Sequence, residues 1–188
     1  MLQQKVNEAL RLKYEQGLLR ERSGKFSPSS FGRCFRAQFW NRKNEVKTNP
    51  PDERSLRIFA VGNLFHDFVQ QFYPDAQKEV TVSTDDCMGY ADVVDGDCVY
   101  DIKSQHSKAF WYMQKSGYDV NKEKLPNIMQ VCFYGKILGK SKGVLVFISK
   151  DDLVIQEYVF EVDKFWPQIQ EEIEILMGYW RKDYIPPA

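Results

Sequence analysis

Apolar residues recur every three or four positions through several stretches of the chain, which is the spacing of one face of an α-helix. This pattern predicts five helices, over about residues 2–21, 53–73, 107–116, 125–139 and 163–182. A sixth helix is expected to open at Ser27, because Ser followed by Pro suits an N-cap and a first helical residue. Its Phe31, Phe35 and Phe39 recur every four residues and are expected to pack into the core.

Alternating or continuous apolar runs predict the strands. One strand is expected over 78–83, a hairpin over 89–103, and two further strands over 143–148 and 154–160. The chain therefore contains both helices and strands, which predicts a mixed α/β (α+β) fold. The sequence contains no repeat or linker, so we expect a single domain over 1–188, with a helical part to about residue 75 and a sheet-containing part from about residue 76.

The hairpin carries the most informative side chains. An Asp-Gly pair between alternating apolar residues is typical of a two-residue turn, so Asp95-Gly96 is predicted as the turn. Asp92 then faces Val99 across the strands. In that register Asp92, Asp101 and Lys103 project from one face of the sheet, with the two carboxylates roughly 7–8 Å apart. Two carboxylates and an ammonium group suit a divalent metal and a water nucleophile, as in phosphodiester hydrolysis.

Charge is unevenly distributed along the chain, although the formal net charge is zero. Residues 1–47 carry a net charge of +7 and residues 101–150 carry +6. Residues 48–100, which include Asp92, carry −7, and residues 151–188 carry −6. The two basic segments are suited to a polyanion such as DNA, but ordinary solvated faces explain the pattern equally well. A bound metal would offset part of the repulsion in the acidic second segment.

The composition excludes several classes of protein. Hydrophobic residues make up 43% of the chain, yet no run approaches the ~18 apolar residues of a membrane span. The polar N-terminus does not resemble a signal peptide, so we expect a cytoplasmic protein without a membrane partner. The cysteines lack the paired spacing of zinc sites and disulfide frameworks; they are Cys34, Cys87, Cys98 and Cys132.

Three motifs together resemble a known family. Asp92, followed after eight residues by Asp101-Ile102-Lys103, resembles the signature of the PD-(D/E)XK nuclease superfamily. Gly62–His66 resembles the histidine-bearing helix of its RecB-like exonuclease branch, and Gln130–Tyr134 resembles the QxxxY motif of that branch. The motifs occur in the order found in the branch, and the resemblance spans about residues 27–160.

The resemblance implies a restriction-endonuclease-like core, with a central mixed β-sheet flanked by helices. It also implies that Mg²⁺ or Mn²⁺ is held by His66, Asp92, Asp101 and the backbone carbonyl of Ile102. Lys103 would then assist the attacking water. The imidazole ligand favours Mn²⁺, since nitrogen ligands suit transition metals better than Mg²⁺.

Five further residues receive less specific roles. Gln130 and Tyr134 are four residues apart and share a helix face, where they either bind the substrate backbone or buttress the site. Of these two roles we expect substrate binding. Arg33 and Arg36 are candidates for phosphate binding. Glu79 is expected at most to support the metal ligands, without binding the metal itself.

The cysteine pattern bears on the cofactor. Iron–sulfur members of the branch use one N-terminal cysteine and a C-terminal trio. Cys34 stands near the first position, but no cysteine follows Cys132, so no iron–sulfur cluster is expected. The chain is more similar to the cluster-free, stand-alone members, many of which are encoded by phages.

The sequence therefore predicts a metal-dependent DNA nuclease. The expected activity is exonucleolytic, on single-stranded DNA or DNA ends, in recombination, repair or phage DNA processing. Two alternatives remain open. One is a site-specific or structure-specific endonuclease of the same fold, and the other is a non-catalytic nucleic-acid-binding protein that retains the fold. A recombination or replication protein as partner stays open, and the sequence does not identify one.

Overall fold

The computed structural model describes residues 1–19, 23–45 and 48–187. The helices are α1 (Leu2–Leu18), α2 (Phe35–Lys43), α3 (Glu53–Gln70), α4 (Ser107–Met113), α5 (Val120–Glu123), α6 (Leu125–Ile137) and α7 (Val162–Arg181). The strands are β1 (Gln77–Ser83), β2 (Met88–Asp95), β3 (Cys98–Gln105), β4 (Lys142–Ser149) and β5 (Ile155–Glu161). Residues 20 and 21 of the first predicted helix lie outside the described residues.

The five strands form one mixed sheet in the order β1-β2-β3-β4-β5. Neighbouring strands are antiparallel except β3 and β4, which are parallel. The crossover between these two strands contains α4, α5 and α6, as a parallel connection requires. Among the described helices, none combines the length and apolar character needed to cross a membrane.

Two cores lie on opposite faces of the sheet. The larger core joins α6 and α7 to the sheet through residues such as Ile128, Phe133 and Ile169. The smaller core joins Val69 of α3 to Val93 and Ile102 of the strands. Helices therefore cover both faces, as the mixed α/β prediction requires.

The hairpin turn differs from the prediction by one residue. Asp95 pairs with Cys98, so the two turn residues are Gly96 and Asp97 rather than Asp95 and Gly96. Gly96 has a φ of +52°, a positive value that two-residue hairpin turns favour and that glycine adopts without strain. The Asp97 carboxylate accepts hydrogen bonds from the Ser141 backbone N–H, at 2.9 Å, and from the Ser141 hydroxyl. These bonds tie the turn to the start of β4.

The shifted turn changes the cross-strand partners. Val94 pairs with Val99, and Val93 pairs with Tyr100. The predicted pairing of Asp92 with Val99 is therefore wrong, and the same register continued sets Asp92 opposite Asp101. Each cross-strand partner shifts by two positions, so the paired residues Val93 to Asp95 keep their predicted alternation relative to β3.

The predicted start of the helix at Ser27 is also wrong. Pro28–Ser30 forms a single 3₁₀ turn, and the Ser27 hydroxyl meets the Ser29 hydroxyl at 2.8 Å. The chain then reverses at Gly32, whose φ is +69°, and α2 begins only at Phe35. Phe31 and Phe39 are fully buried, and Phe35 packs partly buried against the larger core, so the predicted packing of the phenylalanine stripe is confirmed.

Candidate active site

The site forms where β2 and β3 stop pairing. Their ladder ends at Val93 and Tyr100. One residue further on, the Asp92 carboxylate takes the place of a backbone partner, because its Oδ2 accepts the Ile102 N–H at 2.7 Å. The regular alternation of side chains along β2 is also interrupted at Asp92. Ala91 packs in the larger core and Val93 in the smaller core, on the opposite face of the sheet. Asp92 therefore projects into the opening between the two strands.

Asp101 and Lys103 lie next to this opening on β3. Lys103 Nζ donates a hydrogen bond to Asp101 Oδ1 at 2.8 Å. The Asp101 side chain is only 2% exposed, whereas 28% of the Lys103 side chain is exposed. Asp101 Oδ2 is buried and receives no hydrogen bond from any residue in the described ranges. A buried carboxylate oxygen without a partner is costly, so it marks a position suited to a cation.

The pKa values of this pair reflect burial and mutual charge. Burial raises the pKa of Asp101 above its ordinary value, although the ammonium group of Lys103 opposes this rise. Burial also acts to lower the pKa of Lys103, but the charges of Asp101 and Asp92 outweigh it and raise that pKa. Lys103 is therefore a protonated side chain at neutral pH, able to donate hydrogen bonds.

Helix α3 brings His66 to the carboxylates. The helix is capped by Asp52, whose carboxylate accepts the Ser55 N–H at 2.8 Å, and Val69 anchors it in the smaller core. His66 Nδ1 then lies 3.5 Å from Asp92 Oδ2. Burial acts to lower the pKa of His66, but the hydrogen bond and charge of Asp92 dominate and raise that pKa.

Glu79 on β1 completes a group of three potential ligands. One ligand atom from each of His66, Glu79 and Asp92 lies within 4.8 Å of the others. Gln70 stands one helical turn after His66 and holds the group together. Its Nε2 donates to Glu79 Oε1 at 2.7 Å and to the Asp92 carbonyl at 3.1 Å. Gln70 was not among the predicted site residues, although its spacing of four from His66 places both on one helix face.

The residues of the QxxxY motif lie beneath the site. Gln130 and Tyr134 are 8% and 2% exposed, and Gln130 Nε2 lies 3.4 Å from the Tyr134 hydroxyl. That hydroxyl packs against Gly89 so closely that a Cβ there would overlap it. Burial raises the pKa of Tyr134, and the charges of Asp101 and Asp92 contribute. Of the two predicted roles, this geometry favours buttressing over direct contact with substrate.

The two candidate arginines differ in what surrounds them. Arg33 is exposed and lies near enough to Lys103 for the two positive charges to oppose each other. Arg36 instead donates from Nε to the carbonyl of Pro186 near the C-terminus, at 2.8 Å. Arg33 is therefore the better placed of the two for an anionic substrate.

The structure thus brings several predicted residues into one place. The converging side chains come from β1, β2, β3 and α3, with support from α6; they are Glu79, Asp92, Asp101, Lys103, His66, Gln130 and Tyr134. Carboxylate and imidazole groups in this arrangement could hold a divalent cation beside a protonated lysine.

Comparison with known proteins supports the fold. No protein-family model and no curated protein matches the sequence. Among solved structures, an alkaline exonuclease, LHK-Exo from Laribacter hongkongensis, matches with a TM-score of 0.64 at 14% identity, covering 86% of this chain and 90% of that one. LHK-Exo in complex with dAMP matches with a TM-score of 0.63 at 15% identity, covering 85% and 89%. A phage-related exonuclease from Haemophilus somnus 129PT matches with a TM-score of 0.55 at 11% identity, covering 79% of each chain.

These identities are low, so the likeness is one of fold. The five-stranded mixed sheet with helices on both faces is the architecture shared with these exonucleases. The predicted α/β fold with a central mixed sheet is therefore confirmed.

Proposed function

We propose that this protein is a divalent-metal-dependent deoxyribonuclease that acts as an exonuclease on single-stranded DNA or DNA ends. The observation that carries the proposal is the convergence of two carboxylates, an imidazole and an ammonium group at the opening between β2 and β3. The shared fold with exonucleases, one of them in a complex with dAMP, supports a DNA substrate. The motif order supports the RecB-like branch, and the lack of a cysteine after Cys132 supports a cluster-free member of that branch.

The residues fit a hard divalent cation. His66, Asp92 and Asp101 are the proposed ligands, and the Ile102 carbonyl is a further candidate. The strongest structural sign is Asp101 Oδ2, which has no hydrogen-bond partner among the described residues, because a buried carboxylate oxygen needs a positive partner. When bound, Mg²⁺ or Mn²⁺ supplies Lewis acidity, which lowers the pKa of water and offsets the charge of the scissile phosphate.

Lys103 is proposed to orient the attacking water and to stabilise negative charge in the transition state. One hydrogen bond of its ammonium group is fixed on Asp101 Oδ1, at 2.8 Å. The remaining N–H donors and the partial exposure of the side chain leave it able to reach a phosphate oxygen or water. Such a preorganised charge is effective because it needs no reorganisation as charge develops.

Substrate positioning is proposed to involve Arg33 at the rim, whereas Gln130 and Tyr134 hold β2 and its carboxylate in place. Arg36 contributes less, since its Nε is already bonded to the Pro186 carbonyl. An exposed arginine beside the site adds positive potential for a phosphate backbone.

The mode of action can be tested by product analysis. Wild-type protein is incubated with Mn²⁺ and either a labelled linear oligonucleotide or a closed single-stranded circle of the same sequence. The proposal predicts shortening of the linear strand, an intact circle, and no reaction in EDTA.

Two results would contradict the proposal. Cleavage of the circle would indicate an endonuclease of the same fold. Intact linear DNA in Mn²⁺, together with measurable DNA binding, would indicate a non-catalytic binding protein.

A further inference from the structure

We propose that Glu79 is itself a ligand of the divalent cation, and that with His66 and Asp92 it extends the metal site onto β1. This inference rests on the proposed function, and it assigns Glu79 a more direct role than the motifs do. The motifs place ligands on α3, β2 and β3 only.

The distances favour coordination. The ligand atoms of His66, Glu79 and Asp92 lie within 4.8 Å of one another. Ligands on opposite sides of an ion that forms bonds of about 2.0–2.2 Å are separated by about 4.0–4.4 Å, so small side-chain adjustments would bring all three to one cation. Gln70 keeps the Glu79 carboxylate in this position, because it donates at 2.7 Å to Oε1 and at 3.1 Å to the Asp92 carbonyl.

The backbone of β1 is irregular at Glu79. Pairing between β1 and β2 runs through Lys78 with Val93 and through Val80 with Ala91, and it is interrupted at Glu79 and Asp92. Glu79 has a φ of +50°, a left-handed conformation that is unfavourable for a residue with a Cβ. An outlier of this kind in the middle of a strand commonly marks a functional position. The irregularity of β1 lies opposite Asp92, where the alternation of side chains along β2 is interrupted.

An independent observation points to a cation at the same place. Asp101 is 2% exposed, and its Oδ2 is buried without a hydrogen-bond partner among the described residues. The charges of Asp92 and His66 both act on this carboxylate, so Asp101 borders the three-residue group. A cation held by the group would lie next to the carboxylate that needs one.

Calorimetric titration of the metal-free protein with MnCl₂ tests the proposal without an activity readout. Glu79→Gln keeps the size of the side chain and an acceptor oxygen for Gln70, but removes the charge. Asp67→Asn is the matched control, because Asp67 is an exposed carboxylate adjacent to His66 on α3. Circular dichroism and thermal denaturation establish that both variants are folded.

The expected result is Mn²⁺ affinity lowered by more than roughly 100-fold in Glu79→Gln, since loss of a residue that only supports a ligand costs roughly 10- to 100-fold. A loss within that smaller range would contradict direct coordination by Glu79. Asp67→Asn should bind like the wild type. Equal affinities in wild type and Glu79→Gln would overturn the assignment of Glu79 and leave the proposed function intact. Failure of the wild type to bind Mn²⁺ would overturn both the metal-dependent function and this inference.

Discussion

Single residues at the site are held in conformations that cost stability. Glu79 has a left-handed backbone, and Asp101 keeps a carboxylate oxygen buried without a partner among the described residues. Lys103 is drawn toward the interior by Asp101, against the cost of burying its charge. Groups of this kind are destabilising by themselves, so their presence together is better explained by ligand binding than by folding.

The left-handed backbone of Glu79 gives a stability prediction. Glu79→Gly and Glu79→Ala both remove the hydrogen bond to Gln70, but only Gly adopts positive φ without strain. The Gly variant should therefore be more stable than the Ala variant by about 1 kcal/mol. Chemical denaturation measures the difference, and the reverse order, normal for a strand, would show that the backbone is not left-handed there.

At the scale of elements, β2 and α6 are fitted to each other and position the carboxylates. Most of α6 is buried between the sheet and α7, and its Tyr134 hydroxyl fits against Gly89 of β2. Gly89 lies three residues before Asp92 on the same strand. Packing of α6 therefore controls where β2 separates from β3.

Gly89→Ala tests this packing. The added methyl group would overlap the Tyr134 hydroxyl, and overpacking of this kind costs about 1–3 kcal/mol. We expect lower stability and lower nuclease activity in Gly89→Ala, with partial recovery of both in the double variant with Tyr134→Phe. Additive losses in a double-mutant cycle would contradict the proposed contact.

A second junction between elements involves Glu172 of α7. Its carboxylate accepts the Gly32 N–H, at 2.8 Å from Oε2, and the side-chain amide of Gln38, at 2.9 Å from Oε1. Burial raises the pKa of Glu172, although these hydrogen bonds oppose the rise. The folded protein therefore binds this proton more tightly than the unfolded chain does.

The raised pKa of Glu172 predicts a pH effect on stability. Between the unfolded-state pKa of about 4.3 and the higher folded-state pKa, the folded state holds more protons, so its stability falls as pH rises. Glu172→Gln lacks this titration. Urea denaturation between pH 4 and pH 8 should show wild-type stability declining relative to Glu172→Gln, and parallel profiles would contradict the assignment.

At the scale of the whole molecule, segments of opposite charge meet at the site. Asp92 comes from the acidic segment 48–100, whereas Arg33 and Lys103 come from the two basic segments. Arg33 is exposed and close enough to Lys103 to affect its pKa. A DNA strand at the carboxylates would therefore have positive charge beside it.

The contribution of Arg33 should be visible in the salt dependence of DNA binding. Removal of one phosphate contact to a single strand lowers the slope of log affinity against log salt by roughly 0.7. We expect this change in Arg33→Ala and an unchanged slope in Arg181→Ala, which removes an exposed charge at the end of α7. Fluorescence anisotropy in Ca²⁺ or EDTA measures DNA affinity at each salt concentration. Identical slopes in the wild type and Arg33→Ala would exclude a phosphate contact by Arg33.

The sequence predicted most of the fold because its strong local patterns agree with the tertiary structure. Strands and long helices followed their apolar periodicity, and the hairpin error preserved side-chain alternation because the register moved by two. The missed features depend on contacts between distant residues. The Glu172 contact with Gly32 spans 140 residues, and the left-handed backbone of Glu79 has no local sequence signal. The spacing of Gln70 from His66 shows a shared helix face, but not that Gln70 bridges Glu79 and Asp92.

The most direct test of the central claim is the rate of DNA hydrolysis by wild type, Lys103→Ala and the control Lys108→Ala in Mn²⁺. Lys108 is an exposed lysine on α4, five residues from Lys103. Metal-dependent hydrolysis at this site predicts wild-type activity in Lys108→Ala and a loss of roughly 100-fold or more in Lys103→Ala. Equal rates in the folded Lys103→Ala and wild-type proteins would contradict it.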